Sequence, residues 1–381
     1  MSRAGILIAV THLLGTGHLA RAATLARAFA EAGHETTLVS GGMPVPRIVT
    51  GGVRLVQLPP LRSDGVDFST LLGPDDEPAS AACRAEREAI LGQTLAEARP
   101  GVLITELFPF GRRNLRQEFA TLLDAAQSMT ARPLVLSSIR DILAPPSRPG
   151  RADWTEGLLA RHYDGVLVHS DPAVTPLDLS WPVSPELAAK LHYTGFVAPP
   201  PAPPHPEATG AGEILVSAGG GNVGAEVFAA AIAAAGLCPD RTWRILVGGS
   251  DATDRIASLA ATAPANVILE PARPDFREML HHAAASVSLC GYNTALDLLQ
   301  AGTPAILVPF DAGNEVEQGL RAKALARLAG IEVIAAASLD GPALAKAVAR
   351  VAGLPRRVPV TQGFDGAART VSLVRKMLEA R

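Results

Sequence analysis

Short apolar runs rich in β-branched residues recur along the chain, and helical segments follow most of them. The first run, Ile6–Val10, precedes a glycine-containing turn and a segment that carries Leu19, Ala22, Ala26 and Phe29 at helical spacing. Strands that alternate with helices in this way are typical of a parallel sheet that helices cover on both faces. The sequence therefore predicts an α/β fold built from doubly wound, Rossmann-like sheets.

The alternation occurs in both halves of the chain. In the first half, the predicted strands are Ile6–Val10, Thr36–Ser40, Val53–Leu58, Val102–Thr105, Leu134–Ser137 and Gly165–Val168, and helices are predicted over Ala81–Ala98 and Arg116–Ala126. In the second half, the predicted strands are Ile214–Ser217, Trp243–Val247, Val267–Leu269, Ala285–Leu289, Ala305–Val308 and Glu332–Ile334, with a helix over Val223–Ala235. A chain of 381 residues is too long for one small core, so we expect two domains.

A proline-rich stretch, residues 197–212, separates the two halves. Its six prolines predict a stiff, extended connector rather than packed structure. We therefore divide the chain into a first domain (1–197), a hinge (198–211), a second domain (212–360) and a terminal helix (361–381). Because ligands bind at the carboxyl ends of parallel strands, the two domains are expected to face each other across a cleft.

Composition excludes several classes of protein. The net charge of -3 and the lack of a basic stripe argue against nucleic-acid binding. Cys83, Cys238 and Cys290 are isolated, so neither a metal site nor a disulfide framework is predicted. The apolar stretch near the N-terminus is too short for a signal-peptide core, and no uncharged run approaches the ~20 residues of a membrane span. We expect a cytoplasmic protein.

The strongest motif is "LCGYNTALDLLQAGTPAILVPF", residues 289–310, which predicts a strand, a tight turn, a helix and another strand. Gly291 permits the turn, and Asn293 and Thr294 are predicted to cap the helix, whose free N–H groups suit a diphosphate. Asp297 follows one turn later, where a carboxylate could reach a ribose diol. The alternatives are a plain turn with its cap and a solvated helix carboxylate.

A second motif, "GTGHLAR" (residues 15–21), follows the first strand and places His18 in the first turn of a helix. The positive end of the helix dipole disfavours the imidazolium, so His18 is predicted to be neutral near pH 7. A neutral histidine suits a general base that takes a proton from a hydroxyl or from water. The alternative is a histidine that only caps or packs.

Charged residues also follow two other predicted strands of the first half. Glu106 comes directly after a buried strand, with Arg112 and Arg113 close behind, and Arg140 and Asp141 occupy the same topological place after the next strand. Strand ends line the ligand site of such sheets, so these residues are candidates for substrate contacts. The alternative is that they are solvent-exposed loop charges.

The motif of the second half resembles the nucleotide-sugar half of GT-B glycosyltransferases, and especially their MurG-like group. The shared features are the glycine-led helix, an acid six residues after the glycine, AG-x-P, and PF followed by an acid–Gln pair at Glu317 and Gln318. The resemblance implies that the second domain binds the sugar donor through Gly219, Gly220, Gly221, Asn222, Gly291, Tyr292, Asn293, Thr294, Asp297, Glu317 and Gln318. This chain differs in carrying Asp297 where the family usually has Glu, and Leu289-Cys290 where it has Arg-Ser.

"GTGHLAR" fits the Gly-x-Gly-His-x-x-Arg pattern of the same group, whose first domain binds the acceptor. The resemblance implies that His18 is catalytic and that the terminal helix packs back on the first domain. The implied acceptor-side residues are Gly15, Thr16, Gly17, Glu106, Arg112, Arg113, Arg140 and Asp141.

Together these features predict an inverting, metal-independent glycosyltransferase. Its co-substrate would be a nucleoside-diphosphate sugar, and a UDP-linked N-acetylhexosamine is the first candidate. No further cofactor is expected, and the sequence contains no Asp-x-Asp metal motif. The acceptor is not specified by the sequence, and peripheral contact with a membrane is compatible with it. Three alternatives stay open: a nucleotide-sugar hydrolase, a UDP-sugar 2-epimerase and a non-catalytic nucleotide-sugar-binding protein.

Overall fold

A computed structural model describes residues 4–45, 48, 51–63, 70–146, 148–219, 223–249, 251–310, 316–360 and 362–381. The chain forms two compact units. The first consists of Met1–Pro199 with Gly363–Arg381, and the second of Pro200–Gln362.

The first unit is built on a parallel sheet. Its seven strands are β1 (Ile6–Val10), β2 (Thr36–Ser40), β3 (Arg54–Gln57), β4 (Val102–Glu106), β5 (Leu134–Arg140), β6 (Gly165–His169) and β7 (Leu191–Tyr193). They lie in the order β3-β2-β1-β4-β5-β6-β7. The helices before the second unit are α1 (Gly17–Glu31), α2 (Ala81–Ala98), α3 (Arg116–Gln127), α4 (Arg151–His162) and α5 (Pro185–Ala188).

The second unit repeats this plan. Its six strands are β8 (Ile214–Ser217), β9 (Trp243–Val247), β10 (Val267–Pro271), β11 (Ala285–Ser288), β12 (Ala305–Leu307) and β13 (Ile331–Val333), in the order β10-β9-β8-β11-β12-β13. Its helices, among the described residues, are α6 (Ala225–Leu237), α7 (Ala252–Ala260), α8 (Phe276–Met279), α9 (Tyr292–Ala301), α10 (Glu317–Leu325) and α11 (Gly341–Val351). All strand pairs in both sheets are parallel.

The last helix, α12 (Gly366–Glu379), belongs to the first unit. Its Val371 and Val374 share a hydrophobic core with Leu19 and Phe29 of α1 and with the strand residues that face them. Nowhere in the described ranges does a helix combine the length and the apolar character that crossing a bilayer requires.

Helices cover both faces of the first sheet, which explains why its central strands β1 and β4 are buried throughout. Alternate residues of a strand point to opposite faces. Ile6 and Ile8 pack into the core with α1, while Leu7 and Ala9 pack into the core on the other face. The predicted α/β class and its doubly wound sheets are confirmed.

Each sheet has one place where the strand order reverses: between β1 and β4 in the first unit, and between β8 and β11 in the second. In open α/β sheets ligands bind outside the carboxyl ends of the strands at this switch point. The loops that follow β1, β4, β8 and β11 are therefore where a functional site is expected on topological grounds alone.

Part of the proline-rich stretch differs from the prediction of an extended, unpacked connector. His205 is buried, and its Nε2 lies 3.1 Å from Asp275 Oδ2. Its carbonyl accepts a hydrogen bond from His282, and the Pro200 carbonyl accepts one of 2.8 Å from Arg277. Polar partners on the segment around α8 thus anchor this stretch to the second unit, a constraint that its proline content did not indicate.

Candidate functional site

His18 and Glu106 meet at the switch point of the first sheet. His18 is the second residue of α1, which follows the loop after β1, and Glu106 is the last residue of β4. Because β1 pairs with β4, the two residues lie side by side, and His18 Nδ1 is 2.9 Å from Glu106 Oε1. The sequence named both residues as candidates, but it did not predict that they contact each other.

Glu106 is a buried carboxylate with partners on both oxygens. Arg21, the arginine of the "GTGHLAR" motif, forms an ion pair with Oε1, and Ser138 Oγ donates a 2.6 Å hydrogen bond to Oε2. Burial alone would raise the pKa of Glu106, but the charge of Arg21 and the hydrogen bonds from His18 and Ser138 outweigh it and hold that pKa below its ordinary value. Glu106 is therefore ionised at neutral pH, and the alternative of an exposed loop charge is wrong for it.

His18 is neutral at neutral pH. Burial lowers the pKa of His18 well below its ordinary value, the hydrogen bond with Glu106 opposes this, and the charges of Arg112, Arg140 and Arg21 lower it further. The predicted direction is correct, although burial rather than the helix dipole is the main cause. His18 Nδ1 lies 2.9 Å from Glu106 Oε1 and 3.1 Å from Arg21 Nη2. Since an ionised Glu106 can only accept and is the nearer partner, we assign the ring proton to Nδ1, which leaves the lone pair on Nε2. The His18 side chain is 13% exposed, and its role as a general base stays a prediction.

The other predicted acceptor-side residues fall into two groups. Arg112 and Arg140 are close enough to affect the pKa of His18, and Arg112 Nε also donates to the Thr11 carbonyl at 2.6 Å. Asp141 is buried directly after β5, and Arg113 begins a short 3-10 turn, Arg113–Leu115. Gly15 and Thr16 lie in the exposed loop before α1, and Gly17 is its first residue. Contacts of these residues with an acceptor stay a prediction.

At the switch point of the second sheet, the N-terminus of α9 is open, in the sense that no described residue caps it. Gly291 occupies the cap position and no side chain caps the helix, so the prediction that Asn293 and Thr294 cap it is wrong. The backbone N–H groups of Asn293 and Thr294 have no partner among the described residues. A Cβ atom added to Gly291 would meet no heavy atom of the described residues within 4 Å. Unpaired N–H groups at a helix N-terminus can bind a phosphate. The predicted sugar-donor residue Tyr292 is the first residue of α9 and is buried.

Asp297, on the same helix, is not a solvated carboxylate. Arg277 Nε donates a 2.8 Å hydrogen bond to its Oδ1, and the Asp297 side chain is 14% exposed. Burial raises the pKa of Asp297 to about 6, against the opposing charge of Arg277. Ribose binding by Asp297 stays a prediction, and the structure adds Arg277 as its fixed neighbour.

Glu317 and Gln318 begin α10, as predicted, and Glu317 is buried. The amide oxygen of Gln318 accepts hydrogen bonds from the backbone N–H groups of Cys290, at 2.9 Å, and Phe310, at 3.1 Å. Arg321, one turn later, donates to the Cys290 carbonyl. Helix α10 thus fixes the peptide immediately before Gly291, which the sequence did not indicate.

This geometry predicts a structural cost for the Gln318→Ala variant. Loss of the amide oxygen removes two hydrogen bonds to backbone N–H groups, and a buried group left unsatisfied costs about 1–3 kcal/mol. We expect a lower free energy of unfolding in urea titrations. The Gln318→Glu variant keeps an acceptor oxygen and is expected to lose much less. Equal stability of the Ala variant and the wild type would show that these hydrogen bonds are dispensable.

The glycine-rich loop begins after β8, the strand that pairs with β11 at the switch point. Gly219 has a φ of +81°, and its N–H donates to Ser217 Oγ at 3.2 Å. The predicted sugar-donor residues Gly220, Gly221 and Asn222 lie outside the described residues.

Residues 216–357 match the family model of the glycosyltransferase family 28 C-terminal domain. A UDP-N-acetylglucosamine--N-acetylmuramyl-(pentapeptide) pyrophosphoryl-undecaprenol N-acetylglucosamine transferase of Gloeobacter violaceus is 33% identical over 108 residues. The matched segment is 26% of this chain and 29% of that enzyme. Acinetobacter baumannii MurG superposes with a TM-score of 0.58 at 16% identity, covering 98% of this chain and 100% of that one. The chain is MurG-like and has the GT-B fold.

A second solved structure agrees with this assignment of the fold. CalG4, the calicheamicin glycosyltransferase, superposes with a TM-score of 0.61 at 18% identity, covering 100% of this chain and 98% of that one. The family match contains α9, Asp297 and Gln318, so the motif that carried the resemblance lies inside the matched domain. The chain spans less than a third of the length of the curated relative, and the likeness to solved structures concerns the fold.

Proposed function

We propose that this protein is a glycosyltransferase that moves a sugar from a nucleoside-diphosphate sugar to an acceptor hydroxyl, with inversion at the anomeric carbon and without a metal ion. A UDP-linked N-acetylhexosamine is the first candidate for the sugar donor. The named activity of the Gloeobacter violaceus relative, an N-acetylglucosamine transferase named for UDP-N-acetylglucosamine, supports that choice.

The observation that carries the proposal is the open N-terminus of α9 at the switch point of a family 28 C-terminal domain. The N–H groups of Asn293 and Thr294 and the positive end of the helix dipole suit the two phosphates of the sugar donor. As the bond to the sugar breaks, negative charge builds up on the departing diphosphate. The same groups would stabilise that charge.

The His18–Glu106 pair supports the other half of the reaction. The acceptor oxygen attacks the anomeric carbon, the bond from that carbon to the diphosphate oxygen breaks, and the nucleoside diphosphate leaves with the bonding electrons. The acceptor proton passes to His18 Nε2, while Glu106 remains ionised and stabilises the imidazolium that forms. Attack on the face opposite the leaving group inverts the anomeric configuration.

Binding of the sugar donor can be tested without knowing the acceptor. The melting temperature of the full chain is measured with a panel of nucleotide sugars. A ligand at a hundred times its dissociation constant adds about 2.7 kcal/mol to the native state, which a melting curve resolves. The proposal predicts stabilisation by at least one nucleoside-diphosphate sugar and by its nucleoside diphosphate. Failure of every nucleotide to raise the melting temperature would contradict it.

The Asp297→Ala variant tests the ribose contact. Loss of a hydrogen bond to a charged group weakens binding by about 1–3 kcal/mol, roughly 5–150-fold. We expect that loss for a nucleoside diphosphate in calorimetry, with little change for inorganic phosphate. With a pKa of about 6, the wild-type carboxylate gains its charge as pH rises through that value. Wild-type affinity should therefore rise more steeply with pH than that of Asp297→Ala, and parallel pH curves would remove Asp297 from the site.

A further inference from the structure

A chain of buried hydrogen bonds continues from Glu106 into the first unit. Ser138 Oγ, which donates to Glu106 Oε2 at 2.6 Å, lies 3.0 Å from His169 Nε2. His169 Nδ1 lies 2.8 Å from Thr194 Oγ1. Ser138 and His169 have no exposed surface, and Thr194 is buried. We call Thr194, His169, Ser138 and Glu106 the strand-end chain.

The strand-end chain takes one residue at or near the carboxyl end of each of four neighbouring strands. Glu106 ends β4 and pairs in register with Ser138 of β5, His169 ends β6, and Thr194 directly follows β7. Glu106, Ser138 and His169 project on the face that carries Ile104, Leu136 and Leu167, the face that packs against α1. The chain therefore runs across the carboxyl edge of the sheet and ends at His18.

The proton arrangement of the strand-end chain follows from the ionised state of Glu106. The Ser138 hydroxyl has a single proton, which it donates in a hydrogen bond to its nearest acceptor, the ionised carboxylate of Glu106. His169 must then donate from Nε2 to the Ser138 oxygen. Because burial lowers the pKa of His169 to about 3, its ring is neutral and Nδ1 accepts from the Thr194 hydroxyl. The carbonyls of Gly195 and Val168 lie farther from that hydroxyl, at 3.0 and 3.4 Å.

Among the described residues, the charges that shift the pKa of His169 are those of Arg21 and Glu106. Arg21 lowers the pKa of His169 and Glu106 raises it, and both also act on His18. Ser138 donates its hydroxyl proton in a hydrogen bond to Oε2 of Glu106. Oε1 is left to His18 and Arg21. A carboxylate that lost the bond at Oε2 could rotate, and Nδ1 of His18 would lose its fixed partner.

We infer that Ser138 and His169 are positioning residues of the proposed reaction, which hold Glu106 in the one orientation that keeps a proton on Nδ1 of His18 and a lone pair on Nε2. Neither touches a substrate in this scheme; both act through Glu106. The catalytic consequence rests on the proposed function, but the proton arrangement of His18 does not.

The first test reads the proton position on His18 directly. Long-range nitrogen–proton NMR spectra of the 15N-histidine-labelled full chain distinguish a protonated ring nitrogen from one with a lone pair. In the wild type, we expect His18 protonated on Nδ1 only. In Ser138→Ala, we expect a mixture of the two neutral tautomers. This measurement needs no substrate, so its outcome is separate from that of the proposed function.

The matched control is Ser137→Ala. Ser137 is the neighbouring residue of β5, has no exposed surface either, and faces the other side of the sheet, where its hydroxyl donates to the Phe108 carbonyl at 2.9 Å. Removing it costs a buried hydrogen bond without touching Glu106. His169→Leu, which cannot donate to Ser138, and His169→Gln, which keeps a donor group, form a second pair in case Ser138→Ala does not fold.

Turnover gives the second readout. We expect kcat to fall about tenfold in Ser138→Ala and His169→Leu, less than the roughly 10²–10⁴-fold of a missing base, with KM for the sugar donor unchanged. His169→Gln should recover most of kcat. The inference is overturned if His18 keeps the wild-type tautomer in Ser138→Ala, or if Ser137→Ala disturbs it equally. A shifted tautomer in a protein without transferase activity would support the positioning role and count against the proposed function.

Discussion

The His18→Ala protein is expected to turn over roughly 10²–10⁴-fold more slowly than the wild type, with nearly unchanged affinity for the nucleoside diphosphate. The substitution removes the group that accepts the acceptor proton in the transition state. The predicted sugar-donor residues belong to the other unit and keep their contacts. An interaction made only in the transition state affects kcat and not ground-state binding, and steady-state kinetics with calorimetry on the same preparation measure both.

His18→Asn separates catalysis from structure. An asparagine keeps polarity but cannot accept a proton at neutral pH, so this variant should be as slow as His18→Ala. A histidine that only packs predicts the reverse pattern: a lower melting temperature, with activity per folded molecule largely kept. Retained turnover in a stable His18→Ala protein would refute the role of His18 as a base.

Arg21→Met is expected to destabilise the protein by about 3–5 kcal/mol, the cost of leaving a buried charge without its partner. Arg21 and Glu106 are both almost completely buried, with side chains 2% and 1% exposed. The uncompensated carboxylate must then either stay charged in an apolar environment or take up a proton. Urea denaturation at neutral pH measures the loss.

The contribution of Glu106 to the free energy of unfolding depends on pH in a predictable direction. Because the pKa of Glu106 is lower in the folded than in the unfolded chain, the unfolded chain binds more protons as pH falls below the ordinary carboxyl range. The stabilisation by Glu106 is thus present at neutral pH and is lost on acidification. We expect Arg21→Met to weaken this acid dependence, because the ion pair that lowers the pKa is gone.

Two controls accompany Arg21→Met. Arg369→Met removes the arginine of an ion pair with Asp365, in which both side chains are more than half exposed. This variant should leave the unfolding midpoint nearly unchanged. The double variant Arg21→Met/Glu106→Gln removes the orphaned charge and should recover part of the loss. A midpoint of Arg21→Met equal to that of Arg369→Met would show that the buried pair contributes nothing.

Much of the fold could be predicted because buried parallel strands are short apolar runs between glycines and polar turns. Strands β1, β2, β8 and β9 and helix α2 have the predicted bounds. Strand β7 was missed because Leu191–Tyr193 is only three half-buried residues at a sheet edge. Helix α6 begins at Ala225 rather than the predicted Val223, since Gly224 occupies its cap position with a φ of +92°.

The site was harder to predict because its partners are distant in sequence. His18 and Glu106 could be named from motifs and strand ends, but their contact depends on the pairing of β1 with β4. His169 carries a readable signal, because it is a polar residue at the end of an otherwise apolar strand, whereas Ser138 lies inside β5 beside another serine. The candidates predicted from the sequence at this strand were instead Arg140 and Asp141, two and three residues after Ser138. The cap on α9 was predicted wrongly because Asn293 and Thr294 are favoured at caps, whereas Gly291 holds that position.

Transfer of the sugar itself is the most direct test of the account. UDP-N-acetylglucosamine labelled with 13C at the anomeric carbon is incubated with the protein and a bacterial small-molecule and lipid extract as the source of acceptors, and the anomeric carbon is followed by NMR. The account predicts a new glycoside signal with the opposite anomeric configuration, formed by the wild type and strongly reduced with His18→Ala. Release of free sugar only would indicate a hydrolase, and a bound but unbroken donor would indicate a binding protein; either result would contradict the proposed transferase.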